Sequence, residues 1–364
     1  MTRQVGIGIV GAGHISAAYL KALKNFDVIS VRGIADKYPE AAAKRSAEFG
    51  VKQLSMDEVF ADPEIEIILN LTIPKAHLEV GLQSLAAGKH VYSEKPLGIS
   101  VEEGRKLLSA ANARHLRVGC APDTFLGGGH QAARRVIDSG RLGQIVGGTA
   151  FCASPGHEYW HPNPGFYYDH GGGPMLDMGP YYITDLVNLL GPVVRVMGIN
   201  STPRSERPIR SEPRLGQMIP VKVATHSTGT LLFANGALVT VTISFDVPKH
   251  AHTPIEIYGT DASLLVPDPN KFGGEVKIAT PRAPEWDIVP VKEPYTDGNY
   301  RSLGLADMAL AITENRAHRA SGELALHVLE VLEAFEVSAR TERYVAIEST
   351  VERPAPLSRE NGAD

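Results

Sequence analysis

Two short stretches combine residue types and spacings that can do chemistry on an alcohol. In Glu94-Lys95-Pro96 a lysine stands just past a strand-like run, residues 90–93, and Pro96 fixes the chain beyond it. A lysine held at a strand end can hydrogen-bond a substrate hydroxyl and act on its proton once its pKa is shifted. A solvated surface lysine is the plainer alternative. Asp177 and Tyr181 lie four apart behind Gly171-Gly172-Gly173, so they share one helix face. A carboxylate and a phenol side by side can bracket a secondary alcohol; otherwise Asp177 caps the helix and Tyr181 packs. Just upstream, residues 154–176 are dense in Gly, Pro, His and aromatics, including His157, Tyr159, Trp160, His161, Tyr167, Tyr168 and His170. That is too long for a connector and reads as a site loop. Its aromatics can stack on sugar rings and its imidazoles can bond hydroxyls. Its histidines lack tight ligand spacing and no Cys pair supports them, so no metal is expected.

The element that must position a partner for this chemistry is residues 7–16, Ile-Gly-Ile-Val-Gly-Ala-Gly-His-Ile-Ser. It reads as a strand, a glycine turn and a helix. Gly11 and Gly13 leave no Cβ between the backbone and a pyrophosphate, and the following helix offers N–H groups to it. Ser16 takes the small-residue third position, and His14 and Ile15 lie inside the turn. Ile15, Ala18, Ala22, Leu23 and Phe26 have the spacing of a sheet-facing side. The next strand, residues 28–35, ends in Asp36. A carboxylate there accepts both adenosine ribose hydroxyls and repels a 2′-phosphate. Lys37 could contact such a phosphate, so NAD is favoured and NADP remains possible. Thr72, Pro74 and His77, just after a buried strand at residues 65–71, could line the nicotinamide ribose, with Glu94 and Lys95 at the same sheet edge.

Residues 1–122 alternate strand and helix patterns, as in a parallel sheet with crossover helices. Helices are expected at 39–49, 75–87 and 101–114, the last with Ser100 and Glu103 as a capping box. Residues 123–352 read as a second α/β domain, with helices at 128–139, 175–190, 301–316 and 322–341. Strands at 225–233 and 237–246 flank Asn235-Gly236, a type I′ hairpin signal. In the second strand Val239, Val241, Ile243 and Phe245 share one face and Thr240, Thr242 and Ser244 the other, so one face meets a core and the Thr-rich face meets solvent or a partner subunit. Residues 353–364 read as a loose tail.

The 364 residues exceed one small core. Hydrophobic residues make up 43% and charged ones 21%, an ordinary soluble balance. A net charge of −5 without a basic stripe argues against nucleic acid. Cys120 and Cys152 are the only cysteines, which fits a reducing cytoplasm. No apolar run reaches membrane-span length, and the short apolar run at residues 5–10 does not read as a signal peptide.

Taken in order, the turn at Gly11 to Ser16, Thr72-x-Pro74-x-x-His77, Glu94-Lys95-Pro96, and residues 171–179 (Gly-Gly-Gly-Pro-Met-Leu-Asp-Met-Gly) resemble the glucose–fructose oxidoreductase and inositol dehydrogenase family, Gfo/Idh/MocA. The resemblance covers nearly the whole chain. It implies a Rossmann domain followed by an α/β domain with a large open, mainly antiparallel sheet that forms the interface of a homodimer or homotetramer. It also implies reversible oxidation of a secondary alcohol on a sugar, cyclitol or glycoside, with a nicotinamide as hydride carrier. Lys95 would be the catalytic lysine and Asp177 its carboxylate partner, with His157, Trp160 and His161 against the substrate. Many members place histidine four residues after that aspartate; this chain has Tyr181. A nearby Lys95 would lower the phenol's pKa and make it an acid/base; failing that, the role falls to Lys95, His157 or His161. Two other activities fit the same resemblance: a glycoside hydrolase or lyase that borrows the redox step, and a non-catalytic NAD-binding regulator.

Overall fold

The computed structural model describes residues 3–357, and the chain forms two compact units. Among the described residues the first holds 3–126, 297–329 and 354–357. Its elements begin with β1 (Val5–Val10), α1 (Ser16–Ala22), β2 (Ile29–Ala35), α2 (Pro39–Phe49) and α3 (Met56–Ala61). They continue with β3 (Ile67–Asn70), α4 (His77–Ala86), β4 (His90–Ser93), α5 (Val101–Asn112) and β5 (Val118–Cys120). The strands pair in parallel in the order β2-β1-β3-β4-β5. Beyond β2 a single parallel bridge joins Ile34 to Gln53. It stands where a doubly wound nucleotide-binding sheet carries its third strand. The chain therefore reverses direction across the sheet between β1 and β3, and the crevice there opens at the carboxyl ends of the strands. β1 and β3 are buried along their whole length, as a central parallel strand requires. Val10, Ala35, Leu54, Val59, Ile65, Ile68 and Val80 form the core on one side.

The second unit holds residues 127–296 and 330–353. It opens with α6 (Gly128–Asp138), β6 (Ile145–Ala153) and α7 (Pro174–Leu190), then β7 (Val193–Ser201), β8 (Glu206–Pro208) and β9 (Met218–Pro220). Then come β10 (His226–Phe233), β11 (Leu238–Ser244), β12 (Ile255–Gly259), β13 (Ser263–Val266), β14 (Val276–Thr280) and β15 (Ala283–Val289). Among the described residues its main sheet has nine strands, in the order β15-β14-β13-β12-β6-β11-β10-β7, closed at the far edge by residues 345–346. Only β6 and β11 pair in parallel; every other neighbour is antiparallel. Val239, Val241, Ile243 and Phe245 are buried beneath α7, as their period-2 spacing predicts. Buried His130 on α6 contacts Asp185 on α7 at 2.8 Å and ties the two helices together. On the other face Thr228 and Thr242 bond to each other at 2.9 Å, and Ile199 and Leu238 stay 65% and 54% exposed. β8 and β9 form a separate hairpin inserted between β7 and β10.

Four expectations need correction. Residues 297–329, read as second-domain, belong to the first unit. There α8 (Leu303–Thr313) starts on a buried acceptor: Asp123 takes the N–H groups of Ser302 at 3.0 Å and Gly304 at 2.9 Å. Helix α9 (Gly322–Thr341) is divided between the units at residue 329. Residues 353–357 are held rather than loose: Pro354 and Leu357 are buried, and Arg319 donates to the carbonyls of Ala355 and Pro356; residues 358–364 lie outside the described residues. The hairpin at Asn235-Gly236 has one left-handed residue, Gly236 at φ 88°, where a type I′ turn needs two. Phe233 N–H bonds Ala237, closing a three-residue loop of the glycine-bulge kind. At α5, Ser100 accepts from Glu103 N–H, but the Glu103 carboxylate accepts from Ile99 rather than from Ser100, so the capping box is half made.

Candidate active site

In the first unit the residues expected to hold a cofactor gather at the carboxyl edge of the sheet. Gly11 sits at φ 104°, and a Cβ there would lie 2.6 Å from the Leu71 carbonyl carbon, so backbone and space both demand glycine. A Cβ on Gly13 would meet nothing within 4 Å. That open ground over the turn is what a pyrophosphate needs, and the site fits a dinucleotide. Ser16 closes the turn by donating to Gly13 O at 2.7 Å, and Arg45 from α2 donates to the same carbonyl at 3.0 Å and to Ser16 Oγ at 3.1 Å. His14 is exposed and Ile15 half-buried. The buried side of α1 uses Tyr19 and Leu20 where the spacing suggested Ile15 and Ala18. Asp36 is anchored by two backbone donors, Ala12 N–H to Oδ2 at 2.7 Å and Tyr38 N–H to Oδ1 at 2.9 Å. Lys37 beside it is exposed and reaches over the Tyr38 ring at 4.8 Å.

Lys95 stands two residues past the end of β4 and is partly exposed. Its N–H donates to Glu94 Oε2 at 3.0 Å, and Glu94 Oε1 accepts from Tyr19 OH at 2.6 Å, so Glu94 is turned inward as a brace. Thr72 is partly buried and donates to Asn70 Oδ1 at 2.7 Å; Pro74 opens a short turn. His77 is corrected by the structure. It is fully buried, with Nδ1 2.7 Å from Pro96 O and Nε2 3.0 Å from Thr72 O. Its ring ties the segment after β3 to the segment after β4, leaving neither nitrogen for a ribose. Burial holds its pKa down.

In the second unit Asp177 lies in the first turn of α7, whose cap is Gly173, so the carboxylate is not the cap. Its Oδ2 is 3.1 Å from His157 Nε2. His157 therefore joins Asp177 across about twenty residues of loop. Tyr181 is buried on the next turn of the same helix. Burial drives the neighbouring Tyr182 phenol, which bonds Cys152, far up. The loop aromatics form one cluster: His157 lies 3.9 Å from Tyr167 and 5.2 Å from Trp160, and Trp160 5.3 Å from His161. Trp160 is 62% exposed, a flat face beside the Asp177 pair. Arg45 and Arg207, a buried side chain under this loop, escaped the sequence reading because nothing in their local pattern distinguishes them from surface arginines.

The profile described as "Oxidoreductase family, NAD-binding Rossmann fold" matches residues 5–121, and that of the "GFO/IDH/MocA C-terminal domain" matches residues 130–265. The chain belongs to the Gfo/Idh/MocA oxidoreductase family. Among relatives within it, a 1,5-anhydro-D-fructose reductase of Ensifer adhaerens is 25% identical over 71% of this chain and 74% of its own. A levoglucosan dehydrogenase of Pseudarthrobacter phenanthrenivorans is also 25% identical, over 72% of this chain and 73% of its own. A solved levoglucosan dehydrogenase in complex with NADH superposes over 95% of this chain and all of its own, with TM-score 0.83 and 22% identity. The Gfo/Idh/MocA assignment accounts for the NAD-binding first unit and for the large mixed, mostly antiparallel sheet of the second.

Proposed function

We propose that the protein reversibly oxidises a secondary alcohol of a sugar, cyclitol or glycoside and passes the hydride to NAD. The observation that carries the proposal is Lys95, two residues past β4 at the sheet edge that also bears the Gly11–Ser16 turn and Asp36. Bound NAD, held by the turn and by Asp36, supplies a hydride acceptor. Lys95 hydrogen-bonds the reacting hydroxyl, and with Tyr181 it takes up the hydroxyl proton. Asp177 holds a neighbouring hydroxyl, and Trp160 and His161 meet the ring. Relatives named for 1,5-anhydro-D-fructose and levoglucosan favour a neutral ring over a sugar phosphate. The uncovered face of the nine-stranded sheet is taken as the surface through which copies associate, as a dimer or tetramer. The enzyme is taken to work in the cytoplasm.

The test is cofactor reduction with NAD or NADP across inositols, free hexoses, anhydro-sugars and glycosides. Reduction of NAD by a member of the panel, lost in Lys95→Ala, is the expected result. Aglycone release without net reduction would replace this reading with the redox-assisted hydrolase.

A further inference from the structure

One buried side chain pins the loop that carries His157. Arg207, on the inserted hairpin, donates from Nε to Glu158 Oε1 at 2.7 Å and from Nη2 to Pro155 O at 2.6 Å, both on the loop. It also donates from Nη1 to Asp246 Oδ1 at 2.7 Å and from Nη2 to Phe245 O at 2.8 Å, at the end of β11. Arg207 and Glu158 are each 1% exposed, so the ion pair is desolvated and geometrically strict. Tyr168 extends the lock: its hydroxyl donates to Glu158 and accepts the His157 N–H at 3.1 Å. Both backbone and ring of His157 are thus placed, the ring between Tyr167 at 3.9 Å and Phe245 at 4.6 Å.

The nitrogens of that ring define its task. Nε2 faces Asp177 Oδ2 at 3.1 Å, and Nδ1 is buried without a hydrogen-bond partner. A hydrogen assigned to Nε2 makes the bond to the carboxylate and leaves only a lone pair on the shielded side. Such a ring orients its neighbour and has no open nitrogen with which to exchange a substrate proton. We infer that Arg207 and His157 are positioning residues for Asp177: Arg207 locks the loop, and His157 aims the carboxylate. The inference rests on the proposed function for its kinetic reading, and it removes His157 from the acid/base candidates.

Glutamine can supply the Nε2-type donor without a titrating ring, so His157→Gln separates orientation from proton exchange. With the substrate found by the panel, His157→Phe lowers kcat by about a hundredfold, the scale of a misplaced reacting group. His157→Gln restores most of that loss, and NAD affinity stays unchanged in both. Tyr168→Phe, a one-atom cut in the lock, lowers kcat by about tenfold and melts within a few degrees of wild type. It stands in should Arg207→Met fail to fold. Equal loss in His157→Gln and His157→Phe would overturn the inference and make the ring the proton carrier; unchanged kcat in His157→Phe would overturn it outright. Nitrogen NMR of the histidines gives a readout free of turnover: wild type shows His157 hydrogen-bonded at Nε2–H, and Asp177→Asn shifts that signal. If no panel substrate turns over, the functional reading fails while this NMR result still decides the His157 geometry; a signal indifferent to Asp177→Asn would end it.

Discussion

At the residue scale, variants at Lys95 and at Asp36 should separate turnover from cofactor choice. Lys95→Ala should reduce turnover by roughly 10²- to 10⁴-fold, the usual worth of a positioned acid/base, while NAD still binds, because the Gly11–Ser16 turn and Asp36 are untouched. Steady-state rates beside a fluorescence titration with NADH check both halves. Asp36 predicts cofactor choice. Its carboxylate is held in place by Ala12 and Tyr38 N–H groups, so its charge cannot swing away from a 2′-phosphate. Asp36→Ala should weaken NAD binding by about tenfold and narrow the preference over NADP, which Lys37 would then assist. An unchanged NAD/NADP ratio would show that Asp36 does not read the ribose. The positions of the glycine turn, the acid at a strand end and the lysine before proline were legible in the sequence, because each is set by local backbone. His77 was not: its role depends on carbonyls brought together from two loops, and sequence spacing carries no sign of that.

At the element scale, the cap on α8 makes a stability prediction. Asp123 is buried and accepts two N–H groups at the helix start, and burial raises its carboxyl to about 6 from an ordinary 3.8. A folded-state pKa above the unfolded one means that folding takes up a proton. The stabilisation from this group is complete below about pH 4 and is lost as pH rises through 6. Between pH 7 and pH 5 the melting temperature of wild type should therefore rise relative to that of Asp123→Asn; parallel curves would contradict it. Asp123→Ala, which strands two buried donors, should cost about 1–3 kcal/mol in denaturant unfolding. Periodicity placed the helices here because amphipathic and buried runs announce themselves. It placed the turn at Asn235-Gly236 but not its kind, since one left-handed residue or two is settled by the strand register around it. Residues 297–329 read as part of the second domain because chain order was the only guide. A buried Asp123 waiting for α8 has no signature in a single sequence.

For the whole molecule, the Thr-rich strand face was legible as a face without a core, and Ile199 and Leu238 stand on it. Exposed apolar area of this kind on a broad sheet favours self-association. Light scattering on the eluting protein should give a dimer or tetramer, and Leu238→Arg should shift it towards monomer with the fold intact by circular dichroism. A monomeric wild type would mean that the face serves another purpose.

Hydride transfer from a substrate carbon to NAD is tested by following that hydrogen. The active panel substrate would be prepared with deuterium on its reacting carbon, turned over with NAD, and the recovered nicotinamide examined by NMR. One deuterium at the reduced ring position for each ketone formed, with a slower rate than the unlabelled substrate, is the expected result. Recovery of oxidised NAD alone, with deuterium retained in a cleaved product, would contradict it.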